Sequence, residues 1–394
     1  MAGPNHLGHT DAELKLHIMK KNSKSTNGYT ASISAKTIEE EMQWTKYHSP
    51  NGGHGFAAED GNALWERVCG HKVKLVGLDN EKNGADLLID GVPVQLKYFK
   101  DAYSSIEACF GPDGMYRYSG KEIMVPKDEY DEAVARMRTK ITEGRVPGVT
   151  DPTEAESMIR KGKLTYDQSL KLKRFGTKES LVFDVLVQAQ IAGIVGGISS
   201  FIAFIRARRE GLPYKNATII AGKEFGKSGA KVLVSGVAIQ QFLRSEVGRK
   251  TATITTHAVR KGVNVVCNTE IGRKAVEKVA WGIGGKVVKG AAARTVTTKA
   301  IRGNIITSAV VFAIDSIPDT YKLCIGKLTA KEYGKSRATG AIGIVGGSAG
   351  YLVGTAVGTA IMPGVGSAVG GFVGGILGGL GGSSGSQRLL KSIR

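Results

Sequence analysis

The chain has 394 residues, enough for two or three domains, and its formal net charge is +19. Its four cysteines, Cys69, Cys109, Cys267 and Cys324, lie far apart without paired spacing, which argues against a disulfide framework or a zinc site. This cysteine usage fits a reducing cytosol. The first residues lack a basic segment followed by an apolar stretch, so we expect no signal peptide.

The excess positive charge is concentrated in one segment. Residues 206–337 hold 25 Lys and Arg against 8 Asp and Glu, a surplus of 17. Such a segment favours anionic partners, and both nucleic acid and an anionic membrane are candidates. A basic surface that serves only solubility is the alternative.

The first 180 residues predict three parts. A polar arm covers residues 1–50, and a small α/β domain covers residues 51–145. A linker of short helices follows over residues 146–180, with Pro152 in the first turn of a helix. The elements predicted for the α/β domain are a helix near Ala57–Val68, a strand at Val73–Val76, two strands joined at Asp90-Gly91 and a helix at Lys127–Glu143.

Three polar residues of this domain form a candidate site. Strand alternation puts Gln95 and Lys97 on one face, and a preceding hairpin strand brings Asp86 beside them. Asp86 could ligate Mg²⁺ with help from the Gln95 carbonyl, while Lys97 could position a water or stabilise phosphate charge. Glu59 on the first helix is a further candidate ligand, with Glu66 as the second choice.

Lysines and aromatic residues surround this candidate site. Interleaved cations and rings suit single-stranded nucleic acid, because the phosphates bind the charges and the bases stack on the rings. The alternative is that about half of the rings are core, as strand alternation predicts for Phe99. The candidate ligand-binding residues are His54, Lys72, Lys74, Lys82, Lys97, Tyr98, Lys100 and Tyr103.

Residues 181–337 predict a basic helical domain with two apolar stretches. Val185–Ile205 carries no charge and is followed by Arg206, which suits either a membrane helix with a cytoplasmic flank or a buried helix of a soluble bundle. Gly303–Ile314 is also apolar but too short to span a membrane by itself.

Residues 338–386 form a glycine tract without a charged side chain. Of its 49 positions, 18 are glycine, and a helical Gly costs about 1 kcal/mol against Ala in water. The tract therefore predicts a membrane hairpin that turns at Met362–Gly364 and packs as a homo-oligomer, for example a tetramer. The alternative is a flexible tail. The packing glycines are Gly346, Gly350, Gly354, Gly358, Gly366, Gly370, Gly374, Gly378 and Gly382, and residues 387–394 form a basic tail.

The site resembles that of the restriction-endonuclease-like superfamily. An acidic residue on a helix is followed by two strands carrying a D-x8-QxK string, Asp86 to Lys97, as in the Mrr-like branch. This resemblance implies a Mg²⁺-dependent DNA endonuclease. Because Gln95 stands where most members have an acid, a noncatalytic domain that binds nucleic acid or nucleotide also stays open, as does a chance match.

Several stretches of the whole chain resemble the membrane effectors of Hailong-type antiphage defence systems. They are SPNGGHGFAAED, NGADLLIDGVPVQLKY, EGRVPGVTDPTEA and RGNIITSAVV, together with the terminal glycine hairpin. The resemblance implies an oligomeric effector in the bacterial cytoplasm and inner membrane. Bound oligodeoxyadenylate, made by a nucleotidyltransferase encoded nearby, would keep it inactive, and loss of that ligand would release it to depolarise the cell.

Together these features predict an α+β protein with two parts. A small restriction-endonuclease-like α/β domain precedes a mostly α-helical region that ends in the glycine-zipper hairpin. The first function hypothesis is an antiphage effector that senses DNA or an oligodeoxynucleotide and disrupts the membrane as a channel or pore. The alternative is a Mg²⁺-dependent DNA endonuclease that is tethered to, or delivered across, a membrane.

Overall fold

The computed structural model describes residues 53–76, 83–284, 289–338 and Gly350. These residues divide between an α/β unit, residues 53–187 with 240–246, and a helical unit, residues 188–239 and 247–338. The predicted arm at 1–50, Lys82 and the basic tail lie outside the described residues. So does the glycine hairpin, apart from Ala338 and Gly350.

The structure is mixed α+β, with a small sheet followed by long helices. The sheet strands are β1 (Val73–Leu75), β2 (Leu87–Ile89), β3 (Val92–Leu96), β4 (Glu122–Val125) and β5 (Ile159–Lys161). The helices around the sheet are α1 (Gly53–Val68), α2 (Ala102–Glu107), α3 (Tyr130–Thr142), α4 (Ala155–Met158) and α5 (Tyr166–Leu172). The long helices are α6 (Lys178–Arg209), α7 (Tyr214–Arg244), α8 (Glu246–Val266), α9 (Glu270–Gly284) and α10 (Gly290–Cys324).

The sheet has the strand order β1-β2-β3-β4-β5. The first three strands form an antiparallel meander, and β3, β4 and β5 run parallel, so that helices must connect them. The predicted turn at Asp90-Gly91 joins β2 to β3, and both of its residues have positive φ angles of 52° and 90°. This two-residue connection has the backbone that right-twisted hairpins prefer, and it fixes the register that places the site.

The two faces of the sheet pack against different helices. Leu87, Val94 and Leu96 lie in a buried cluster with residues of α1 and α5. On the opposite face, Ile123 packs with residues of α2 and α3. Register partners point to the same side of a sheet, so Gln95, which pairs with Ile123, belongs to the α2–α3 face.

The linker prediction misses a strand. Residues 146–180 were expected to hold only helices, but Ile159–Lys161 pairs with β4 as β5. A three-residue strand is too short to show a period of two in its sequence. Two adjacent apolar residues, Met158 and Ile159, also fit the apolar face of a helix. The predicted opening at Pro152 is present as a 3₁₀ turn, which Asp151 caps by accepting from the N–H of Thr153.

The apolar stretch Gly303–Ile314 is not a short element. It lies inside α10, whose 35 residues make it long and apolar enough to cross a membrane by length and composition. No other helix among the described residues meets that test. The stretch was expected to be too short to span, but the helix that contains it continues through Arg302 on one side and Asp315 on the other. Val185–Ile205 lies within α6, where its two alternatives remain predictions.

Candidate functional site

Asp86 and Gln95 contact each other at the open end of the β2–β3 hairpin, away from its turn. Asp86 Oδ2 accepts from Gln95 Nε2 at 2.5 Å and from the backbone N–H of Leu96 at 2.7 Å. The Asp86 N–H donates to the carbonyl of Val94 at 2.9 Å. The Asp86 carboxylate therefore accepts two hydrogen bonds from β3. This gives Asp86 a structural role whether or not it takes part in catalysis.

Lys97 follows β3 on the same side as Gln95. Its Nζ lies 4.7 Å from the centroid of the Tyr118 ring, and the guanidinium of Arg117 lies 5.6 Å from that centroid. Both cations are held by the negative face of one ring. Burial raises the pKa of Asp86, and the nearby charge of Lys97 opposes that rise only in part.

The residues at this site do not fit a Mg²⁺ ion. Mg²⁺ takes oxygen ligands, whereas Gln95 turns its amide NH₂ group toward Asp86, so the predicted pair of oxygen ligands is not formed. The opposite orientation of the amide would set two acceptors against each other. Within the described ranges, no group of three His, Cys, Asp or Glu residues is arranged to hold a metal.

The two predicted helix acids do not join Asp86. Glu59 lies on α1, which packs against the opposite face of the sheet from Gln95. Glu66 is only 1% exposed, and basic side chains lie around it, with His71 Nε2, Arg160 Nε and Lys163 Nζ each 3.6 Å from its carboxylate. Glu66 therefore pairs with basic side chains of the α/β unit, and its role as a metal ligand stays a prediction.

Tyr98 is a core residue rather than a ligand contact. It is 3% exposed, and its hydroxyl donates at 3.1 Å to Asn62 Oδ1 and to the carbonyl of Leu164. Phe99, expected in the core, is 40% exposed. The alternation of Val94 and Leu96 continues past the end of β3, which buries Tyr98 and turns Phe99 outward.

Phe99 begins an exposed surface that contains aromatic rings and cations. Tyr103 is 56% exposed, and the guanidinium of Arg136 lies 5.2 Å from its ring centroid. Lys100 is exposed between the two rings in sequence. Glu132 pairs with Arg136 at 2.6 Å and reduces the positive charge of this surface.

The other predicted ligand-binding residues are dispersed. Lys74 is exposed on β1 and, by strand register, shares the sheet face of Gln95. Lys72 is exposed beside Asp90, whose carboxylate accepts its N–H at 2.8 Å. His54 lies in the first turn of α1, where its Nε2 is 3.1 Å from the carbonyl of Tyr98, and burial lowers its pKa.

Arg117 and Arg136 were missed from sequence. Both approach the surface through tertiary packing, Arg117 from the segment before β4 and Arg136 from α3. The pattern Tyr116-Arg117-Tyr118 alternates ring and cation, and it was the one local signal for Arg117. The position of Arg136 opposite Tyr103 had no local signal.

Comparisons with known proteins match part of the chain. Residues 35–142 match the YeeR C-terminal domain family, a range that includes Asp86, Gln95 and Lys97. The chain is 46% identical over 99 residues to the inner membrane protein YeeR of Escherichia coli (strain K12). That alignment covers 24% of this chain and 19% of the relative. No solved structure matches the chain.

Proposed function

We propose that the chain is a membrane-associated antiphage effector whose α/β unit binds DNA or an oligodeoxynucleotide without cutting it. The observation that carries the binding step is the pair of cations, Lys97 and Arg117, held over the Tyr118 ring beside the Asp86–Gln95 pair. Lys74 adds charge on the same sheet face. Together these three cations are here named the Lys97 face.

The nearby rings support a single strand as the ligand. Phosphates would bind the cations of the Lys97 face, while Phe99 and Tyr103 offer exposed rings on which unpaired bases can stack. Stacking on one aromatic side chain contributes about 1–3 kcal/mol per base. The resemblance to antiphage effectors implies oligodeoxyadenylate as the ligand. Its purine bases are suited to stacking on these rings.

The binding step can be tested with a labelled oligodeoxyadenylate and fluorescence anisotropy. A charge-assisted hydrogen bond contributes about 1.5–3 kcal/mol, so Lys97→Ala and Arg117→Ala should each weaken binding by roughly tenfold or more. Arg138→Ala is the matched control, because Arg138 is an exposed arginine on α3 that pairs with Glu156. Equal affinity in all four proteins would contradict this site.

A Mg²⁺-dependent endonuclease is the second candidate function. Its support is the order helix, three-strand meander, helix and strand, whereas the orientation of the Gln95 amide toward Asp86 counts against it. Asp86→Asn separates the two functions, because an amide oxygen still accepts the N–H of Leu96 while the negative charge is lost. We expect Asp86→Asn to retain oligonucleotide binding and its biological effect. Loss of Mg²⁺-dependent DNA cleavage together with loss of toxicity would favour the nuclease.

The membrane part of the proposal rests on the helical unit and on the partial relative. The related protein is named an inner membrane protein, and α10 has the length and apolar composition of a membrane helix. We propose that α10 and the glycine hairpin form a channel or pore in a homo-oligomer, in contact with anionic lipid. A protein truncated before about residue 338 should release no dye from liposomes that the full chain makes leaky. Leakage by the truncated protein would exclude the hairpin as the pore.

Coupling between the two parts requires unequal ligand affinity for the closed and open states. A ligand that binds both states equally shifts nothing, so oligodeoxyadenylate must bind the closed oligomer more tightly. A neighbouring nucleotidyltransferase gene would supply this ligand. An adjacent immunity gene in its place would favour a delivered nuclease toxin.

A further inference from the structure

One side of α8 is already covered by the protein. Gly248, Ala252 and Val263 are buried along this side. Val263 belongs to a hydrophobic cluster with Val276 of α9 and Ala293 of α10. These contacts fix the rotation of α8 within the helical unit, and they determine which residues face outward.

A row of apolar side chains lies on a different side of α8. Val247, Ile254 and Val265 are 66%, 70% and 67% exposed. At 100° per residue, their spacings of seven and eleven residues place them within about 20° of one line along the helix. Ile271, in the first turn of α9, is 83% exposed and adds a fourth apolar side chain. These four residues are named the apolar row.

Cations lie along the exposed side of the same two helices. α8 contains four Lys and Arg residues and one acid, Glu246, which is its first residue. Lys250 and Lys261 are both exposed and lie within about 60° of the apolar row on the helix surface. α9 adds Arg273 and Lys274, both exposed and two and three residues after Ile271, and Lys274 also pairs with Glu270 at 2.7 Å.

An anionic bilayer fits this combination better than other partners. A helix that lies in a membrane interface needs aliphatic side chains for the acyl boundary and cations for the headgroups. A second copy of this surface would set like charges against each other. Nucleic acid would match the cations, but an aliphatic row without an aromatic ring offers no stacking platform.

We propose that α8 and the start of α9 dock on an anionic lipid surface, with the apolar row at the acyl boundary and Lys250, Lys261, Arg273 and Lys274 at the headgroups. This inference rests on the membrane association proposed above, and it adds a peripheral contact distinct from the pore. Such a contact would hold the helical unit at the bilayer without requiring any helix to cross it.

The test places an environment-sensitive fluorophore at single cysteines of the full chain. The exposed Cys69 and Cys324 are first changed to Ser, while the buried Cys109 and Cys267 remain. Labels are placed at Ile254→Cys and Val265→Cys on the apolar row. Thr253→Cys labels another exposed side of α8, and Val68→Cys labels an exposed apolar position in the α/β unit.

Vesicles of phosphatidylglycerol and phosphatidylethanolamine should shift the emission at positions 254 and 265 to shorter wavelength and protect both labels from aqueous iodide. The effect should be smaller at position 253, absent at position 68, and absent with phosphatidylcholine alone. Labels that stay exposed at 254 and 265 while the protein sediments with vesicles would overturn this inference and leave the membrane proposal intact. Failure to sediment would contradict both. Protection that appears without vesicles, with rising protein concentration or added DNA, would assign the surface to another partner.

Charge reversal gives an independent readout with unlabelled protein. Lys250→Glu/Lys261→Glu should lower partitioning onto the anionic vesicles by more than about tenfold at low salt. The matched control is Arg174→Glu/Lys178→Glu, which reverses two exposed cations of the α/β unit. Equal partitioning by the two double variants would overturn the inference.

Discussion

Tyr98 and Gly162 show how one residue makes room for another. The Tyr98 hydroxyl reaches Asn62 and Leu164 only because Gly162, directly after β5, has no side chain. A Cβ built on Gly162 would overlap the Tyr98 hydroxyl and would lie 2.7 Å from the backbone carbonyl of Val125. The backbone atom cannot move aside as a flexible side chain could.

We therefore predict that Gly162→Ala destabilises the α/β unit. Overpacking of this kind costs about 1–3 kcal/mol. Thermal unfolding followed by circular dichroism measures the change. Gly55→Ala is the matched control, because its added Cβ meets no atom within 4 Å, and alanine is the better helix former. A melting temperature unchanged by Gly162→Ala would contradict this packing.

Glu129 gives the α/β unit a pH-dependent stability. Burial, followed by the neighbouring acids Asp128 and Asp101, raises the pKa of Glu129 to about 7, although Ser105 donates to its Oε2 at 3.2 Å. A raised carboxyl pKa stabilises the fold below the unfolded value, and this contribution is lost as the pH rises through the folded value.

Glu129→Gln mimics the protonated form at every pH. We predict that it raises the melting temperature at about pH 8 by roughly 1–3 °C, an estimate reduced for partial exposure, and changes it less at about pH 5. Glu154→Gln, at an exposed glutamate of the same unit, is the matched control at both pH values. A Glu129→Gln effect that is larger at the lower pH would contradict the assignment.

The sequence predicts the residue contacts that are fixed by local geometry. The Asp86–Gln95 contact follows from the two-residue turn at Asp90-Gly91, which sets the hairpin register. The exposures of Tyr98 and Phe99 were predicted the wrong way round. The buried series Val94 and Leu96 continues beyond the end of β3, and it therefore includes Tyr98 rather than Phe99. Arg117 and Arg136 depend on packing between distant segments, which spacing alone does not reveal.

At the scale of elements, a buried ion pair joins α6 to α7 in the α/β unit. Arg244 Nη1 donates to Asp184 Oδ2, and the two side chains are 3% and 1% exposed. Gln241 also donates to Asp184 Oδ2 at 2.7 Å, and its Oε1 accepts the N–H of Gly176 at 2.8 Å. Asp184, near the start of α6, is thus the common acceptor for Gln241 and Arg244 at the end of α7.

Replacing one partner of this ion pair should destabilise the protein more than replacing both partners. Arg244→Met leaves the Asp184 carboxylate buried without its charge partner, which costs about 3–5 kcal/mol. Asp184→Leu/Arg244→Met removes both charges and should recover most of that stability. Thermal unfolding measures both variants. A double variant no more stable than Arg244→Met would contradict the account of an isolated buried charge.

Elements with a strong local pattern were predictable from the sequence. A very short strand, and the full length of a helix that runs past an apolar stretch, were not. The helix at Lys127–Glu143 appears as α3, which begins three residues later. Strand β5 has only three residues, which is too few to show strand periodicity in the sequence. Its pairing with β4 depends on tertiary structure. The apolar stretch in α10 appeared short because Thr and Lys residues precede it, although the helix continues through them.

At the scale of the whole molecule, the surplus of 17 positive charges and the membrane-length α10 both fall in residues 206–337. The Asp86–Gln95 pair and the Lys97 face lie in the α/β unit. This division suits a protein in which one unit binds a polyanion and the other acts on a membrane. Composition predicted the division, whereas the ligand, the pore and the control of one by the other are proposals.

The most direct test of the central claim is dye release from anionic liposomes by the full chain, measured with and without oligodeoxyadenylate. The account predicts that the oligonucleotide suppresses release over the same concentration range in which it binds. Lys97→Ala/Arg117→Ala should release dye whether or not the oligonucleotide is present. Unchanged release by the unmodified chain with the oligonucleotide bound, or equal suppression in the double variant, would contradict control of the membrane helices by the Lys97 face.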